Sequence, residues 1–261
     1  MTTSDAAQAW GPWLAWRAAE LKVSIFFSTR LPFAPQAPID GPRIAQAAWA
    51  FPIAGILVGV VGSVVYALAH RLGLPAWPAA ALSVTATLAV TGCLHEDGLA
   101  DTADGFGGGR TREQKLAIMR DSRIGTYGVC ALVLALLLRA SALASLVDPT
   151  SVAAALLAAH AGARAAMPVL MFAVAPARSD GLSFGAGRPS GRRVAAAVLL
   201  GVLVLAGSLG LRLGIEAAIS LTVVVAIMAR LTLRQIGGQT GDVVGALEQV
   251  GEVVVLLVAS R

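Results

Sequence analysis

Apolar stretches of about 18 residues or more recur along this chain between short polar turns, and they constrain the fold more than any motif does. In lipid, a segment that long satisfies its backbone polar groups only as a helix. Apolar helices are expected at 45–69, 76–93, 124–147, 151–176, 194–211, 213–233 and 243–258. That pattern predicts an all-α, polytopic membrane helix bundle of about seven spans, with residues 1–261 forming one domain. The charged fraction of 13% supports it, because soluble chains carry roughly 25%. The segment 11–29 differs: it mixes Trp and Phe with Arg17, Glu20 and Lys22, which suits an N-terminal helix lying in the interface. The opening MTTSDAAQAW has neither the basic start nor the short apolar run of a cleavable signal peptide. Cys93 and Cys130 have no disulfide or metal spacing and are expected as small core residues.

Alternation of the spans sorts the loops onto two sides. One side holds the N-terminal segment and the loops at 94–123, 177–193 and 234–242. It carries fifteen Lys or Arg, counting Arg230, against three on the other side, namely Arg71, Arg212 and Arg261. The positive-inside rule puts the richer side in the cytoplasm, which implies a bacterial cytoplasmic (inner) membrane protein whose motifs all face inward. The net charge of +5 is therefore a topology signal, and no nucleic-acid partner is expected. A homo-oligomer remains open from sequence alone.

The chemistry is concentrated in Leu94–Gly128, where six acidic and five basic residues interrupt an apolar chain. Asp97, Asp101 and Asp104 fall at i, i+4 and i+7, on one helix face within about 60° of arc. Like charges so placed repel unless a cation sits among them. Hard oxygen ligands at a membrane edge point to Mg²⁺, and Mg²⁺ to phosphate chemistry. The alternative is a solvated loop whose acids pair with Arg110, Arg112, Lys115, Arg120 and Arg123. The bracketing glycines, Gly98, Gly105 and Gly107–Gly109, favour close approach of an anionic ligand. Thr111 with Gln114 reads as a capping box opening a helix to about 122, with Asp121 at its far end. His95 reads equally as a base, a positioning residue or a hydrogen-bonded interfacial histidine.

Gly237–Asp242 (GGQTGD) is either a tight turn with Asp242 as N-cap or a backbone nest for phosphate with one more carboxylate near the metal. The 177–193 loop, with four arginines, is a phosphate clamp or a topology anchor. Arg139, Arg164, Glu216, Glu248 and Glu252 fall inside spans, where charges need partners. At about 1.5 Å per residue, Arg164 matches Glu252 in depth and Arg139 matches Glu216, so both are expected as ion pairs. Arg164 and Glu252 lie nearer the cytoplasmic face, where they could line a substrate cavity.

His95-Glu96-Asp97-Gly98-Leu99-Ala100-Asp101-Thr102-Ala103-Asp104-Gly105, followed by Ile118 to Gly125 (IMRDSRIG), closely resembles the cobalamin synthase family. Ser28–Pro32, Phe51–Gly55 and Gly237–Asp242 with Gly245, Ala246 and Glu252 extend the resemblance over nearly the whole chain. Glu96 departs from it, standing where the family pattern has an apolar residue. The resemblance implies a membrane transferase of late vitamin B12 assembly, an adenosylcobinamide-GDP ribazoletransferase. The ribose 3′-hydroxyl of α-ribazole, or of its 5′-phosphate, would attack the phosphate next to the aminopropanol arm of adenosylcobinamide-GDP and release GMP. It also implies the site. Asp97, Asp101, Asp104 and Asp242 would hold Mg²⁺. His95, Asp104 and Asp121 would be catalytic. Arg120, Arg123, Arg164, Gly237, Gly238 and Thr240 would bind substrate. A CDP-alcohol phosphotransferase fits less well, because Asp97-Gly98 is followed by Leu99-Ala100-Asp101 rather than that family's spacing. A cation transporter fits least, because its site would lie at the midplane.

Overall fold

A computed structural model describes residues 3–32 and 41–261. The described residues form helices α1 (Thr3–Ser28), α2 (Gly41–Ala47), α3 (Phe51–Arg71), α4 (Ala76–Thr91), α5 (Leu94–Gly108), α6 (Arg112–Ile118), α7 (Thr126–Leu146), α8 (Pro149–Ala173), α9 (Gly181–Ala186), α10 (Gly191–Ile236) and α11 (Gly241–Ala259), without a strand among them. The all-α membrane class read from the apolar pattern is the class observed.

The number of spans differs from seven. Four helical segments, 41–71, α7, α8 and α10, are long and apolar enough to cross a membrane, or five if α4 and α5 count as one bent pair. Two physical facts account for the difference. First, α10 runs 46 residues but breaks at Gly210, whose φ of 77° and ψ of 167° are not helical. The two arms fold back on each other, so that a Cβ on Gly214 would lie 2.8 Å from the Ala206 Cα. They correspond to the two spans expected on either side of Leu211–Leu213. Second, α11 carries Asp242, Glu248 and Glu252 on an otherwise apolar helix, and the two glutamates are buried inside the bundle.

The centre of the bundle is α8, whose apolar window is 83% buried against 17% for α10. Ala, Gly and Ser dominate its sequence, and such small residues let backbones approach closely where lipid provides no hydrophobic drive between helices. Two apolar clusters lie along α8 and α11. One holds Met167, Leu170, Val243 and Leu247; the other holds Leu156, Ala159, Val255 and Leu256. Between them, on the same two helices, sit His160, Arg164, Glu248 and Glu252.

Helix α5 does not continue α4. Gly92 and Cys93 both take left-handed φ, 63° and 58°, and the axis turns by 92°. The turned helix carries the acids across the end of the bundle and is not itself a span. It seats on α11 at Gly98, where a Cβ would lie 2.7 Å from the Asp242 carbonyl oxygen. Helix α1 is not among the helices apolar enough to cross. It docks through the buried Glu20, which accepts from Arg17 (2.7 Å), Trp49 Nε1 (2.7 Å) and Arg193 (2.8 Å). Cys93 and Cys130 are exposed on the helical surface, not packed in the core as expected.

Candidate active site

The motif loops gather at one end of the bundle, and Arg112 ties them together. From the start of α6 its guanidinium donates to the carbonyls of Ile236 (2.8 Å) and Ala177, joining the ends of α8 and α10. Pro176 and Gln239 form a short parallel bridge beside it, with Ala177 N donating to the Gln239 carbonyl at 2.8 Å. Glu216, by contrast, lies at the other end, paired with Arg212 (3.2 Å) and Arg261 (3.5 Å).

The charges of Asp97, Asp242 and Asp104 all act on Asp101, but among the described residues no three of these four carboxylates bring their oxygens within 4.8 Å of one another. Asp97, Asp101 and Asp242 lie where α5 crosses the start of α11. Burial first, then the neighbouring charges of Asp97 and Asp242, push the Asp101 carboxyl up to about 7. Like charges this close disfavour one another's ionised form. The countercharge present is Arg178, 3.6 Å from Asp242 and partly buried. Its buried Nη1 has no partner. Thr240 caps α11 by accepting from Val243 N (3.3 Å) and also donates to Asp242 Oδ2 (3.1 Å), which holds that carboxylate toward α5. The N-cap is thus Thr240 and not Asp242.

Asp104, expected as both ligand and catalyst, also anchors the start of α7. Its two carboxylate oxygens accept from the backbone N–H groups of Gly125 (2.7 Å) and Gly128 (2.8 Å), at the start of α7. The periodicity correctly put it on the aspartate face, but the helix N-terminus opposite that face takes its charge. Asp121 is likewise committed. It accepts from Arg123 Nη2 at 2.6 Å, and those hydrogen bonds hold its carboxyl down to about 2. Arg123 is exposed, and Arg120 forms a forked exposed pair with Asp180 (2.5 Å). Gly237 ends α10 with a left-handed φ of 72°, and Gly238 is pressed on Ala175 and Ala177, so both serve the turn.

Arg164 is 1% exposed and does not line a cavity. It pairs with Glu252 (2.9 Å), as the depth match predicted, and with Glu248 (2.5 Å). Arg139 does not meet Glu216. It pairs instead with Glu96 (2.9 Å) and Glu252 (3.0 Å) and donates to Gln249 and Thr87. Glu96 is therefore the buried partner of an arginine. His160, Glu248 and Glu252 bring possible ligand atoms within 4.8 Å of one another, but the two guanidiniums already supply the positive charge there.

His95 connects this network to the surface site. Its Nδ1 lies 3.3 Å from Glu248 Oε2 and 3.4 Å from Arg164 Nη2. Its Nε2 is buried without a partner. His95 lines a cavity of about 110 Å³ together with Asp97, Asp242 and the apolar side chains of Phe27, Ile44, Phe51, Met167 and Met171. Glu248 and the apolar wall escaped sequence reading. Glu248 was legible as an intramembrane carboxylate but not as the neighbour of His95, and the wall residues look like any core residues.

A helical membrane protein with a mostly apolar cavity that also carries His95 and two carboxylates is the class that fold and site define. The family model described as cobalamin-5-phosphate synthase matches residues 20–260. An adenosylcobinamide-GDP ribazoletransferase from Bradyrhizobium diazoefficiens is 55% identical over 242 residues, covering 93% of each chain. Proteins of the same name from Mesorhizobium japonicum and Azorhizobium caulinodans are 52% and 44% identical, covering 92% of this chain and 92% and 94% of theirs. No solved structure matches. The chain belongs to the cobalamin-5-phosphate synthase family.

Proposed function

We propose that this protein is an adenosylcobinamide-GDP ribazoletransferase working with Mg²⁺ at the cytoplasmic face of a bacterial inner membrane. Beyond family membership, the reading rests on one arrangement: His95, Asp97 and Asp242 line one cavity together with apolar side chains. The cytoplasmic side rests on the fifteen-to-three bias in basic residues.

In the reaction, the ribose 3′-oxygen forms a bond to the phosphorus that carries the aminopropanol arm. The bridging P–O bond breaks and GMP departs. His95 Nδ1 stands between Glu248 Oε2 at 3.3 Å and the Arg164 Nη2 donor at 3.4 Å, so these two neighbours favour opposite tautomers. With its N–H toward Glu248, His95 serves in this reading as the acceptor of the hydroxyl proton. Burial, then the charge of Arg164, lowers the basicity of His95. Arg178, with a free buried N–H, faces the diphosphate.

Asp97, Asp101 and Asp242 would hold the metal. Their oxygens are the ligands Mg²⁺ prefers, and an open set of carboxylates suits an ion that keeps waters and takes substrate phosphate. When bound, Mg²⁺ neutralises the diphosphate and stabilises the leaving group. The test is GMP release from adenosylcobinamide-GDP with α-ribazole or its 5′-phosphate, measured against Mg²⁺ concentration. Release that requires both substrates and the metal supports the reading; no release with either acceptor defeats it.

A further inference from the structure

Arg192 and Arg193, two of the four arginines in the 177–193 loop, have no task in the chemistry above. They line a second cleft of about 620 Å³ with Arg17 of α1, Trp49 from the turn between α2 and α3, Ser190 and Ala196. It shares no residue with the cavity at His95. Glu20, 4% exposed, fixes the shape of this cleft by accepting from both Arg17 and Arg193. The same carboxylate holds Trp49, whose ring centroid lies 5.7 Å from the Arg17 guanidinium. Side chains pinned in this way lose little freedom when a ligand arrives. Arg193 Nε is buried without a partner. Arg192 is exposed and makes no ion pair among the described residues.

The backbone adds to this charge. Ser190 is the N-cap of α10, yet it makes no side-chain cap hydrogen bond. The first turn of a helix presents unpaired N–H groups and the positive end of its dipole. Guanidiniums beside a helix N-terminus form a phosphate-binding arrangement.

Depth in the membrane selects the source of the phosphate. Helix α10 is apolar enough to cross, and its apolar run begins at Val194, directly after Arg193. The cleft therefore stands at the level of lipid headgroups. From Ala196 in its lining, Leu199 and Leu203 continue one face of α10 at i+3 and i+7, and they are 60% and 59% exposed. That face offers contact to an acyl chain. A soluble phosphate or an acidic peptide gains nothing from it.

We propose that this cleft binds one anionic phospholipid, with its phosphate at Arg192, Arg193 and the start of α10 and an acyl chain along Leu199 and Leu203.

The experiment titrates the detergent-solubilised full chain with dioleoylphosphatidylglycerol and counts retained lipid by native mass spectrometry. The wild type should hold one molecule, at least about fivefold more tightly than phosphatidylcholine of the same chains. Arg192→Gln should weaken binding by about fivefold, the worth of one basic residue near an anionic surface. Arg230→Gln removes an exposed charge outside the cleft on the same side of the membrane, and should change binding by less than about twofold. Equal losses in the two variants would reduce the effect to diffuse surface charge and overturn the site. Equal retention of the two lipids would show recognition of chains alone and also defeat it. Displacement by inorganic phosphate or a glutamate peptide at equal concentration would assign the cleft to a soluble partner instead. The comparisons on the wild type stand even if a variant fails to insert.

Discussion

Two clusters of charge lie next to each other in this bundle, and they are balanced differently. The buried one pairs Glu96, Glu248 and Glu252 with Arg139 and Arg164, each carboxylate within 3.0 Å of a guanidinium. The one at the membrane edge gathers Asp97, Asp101 and Asp242 around a single arginine, Arg178, at 3.6 Å from Asp242. In the apolar interior an unmatched charge is costly, so the three carboxylates share two guanidiniums and the His160 imidazole, and the cluster serves architecture. At the edge, water and ions can enter, and an excess of carboxylate is tolerable and useful. His95 touches both: its Nδ1 lies in the inner network, and the residue lines the cavity with Asp97 and Asp242.

The strongest challenge to this contrast is Asp101→Asn. The change keeps size and removes one ligand charge from the edge cluster. GMP release should fall by at least about a hundredfold, with the Mg²⁺ requirement shifted upward. The melting temperature of the metal-free protein should hold or rise, because like-charge repulsion is relieved. Near wild-type turnover at an unchanged Mg²⁺ requirement would remove the metal from the edge cluster.

The inner cluster should answer in stability instead. Arg164→Met strips Glu248 and Glu252 of a counterion and should cost about 3–5 kcal/mol. Adding Glu252→Gln should recover part of that loss, a non-additivity visible in a double-mutant cycle on thermal unfolding. Additive losses would mean that the two groups do not share one network.

Glu248→Gln tests the junction. It keeps the shape but weakens the hold on His95 Nδ1, so kcat should drop by about ten- to a hundredfold while KM for both substrates moves little. A fall in KM affinity with kcat unchanged would show that Glu248 acts on binding and not on the imidazole.

The smallest effects belong to the exposed pairs. Arg120→Gln and Asp121→Asn should change turnover by less than about threefold, since solvated ion pairs contribute little. A large loss in Asp121→Asn would restore that aspartate to the catalytic set and weaken the division between edge and periphery.

How much of this was legible beforehand differs residue by residue. Arg164 and Glu252 sit on long regular helices, where counting residues measures depth, and they do pair. The same count failed for Arg139 and Glu216. Depth is one coordinate only, and the 92° turn before α5 brings Glu96 inward to take Arg139. Asp104 lies on the aspartate face as its spacing requires, yet the start of α7 claims both its oxygens.

The amino-acid sequence by itself determined that the chain is an α-helical membrane protein, because apolar length and backbone hydrogen bonding admit one solution in lipid. It also determined the family and the kind of chemistry, since both reside in contiguous residues. Only the tertiary structure decided which acids remain unspent. A carboxylate's role depends on whether a guanidinium, a helix N-terminus or water faces it. Those partners come from helices far apart in the chain: Arg139 from α7 for Glu96 of α5, Gly125 for Asp104, and Asp242 of α11 beside Asp101. Packing, not order along the chain, chooses them.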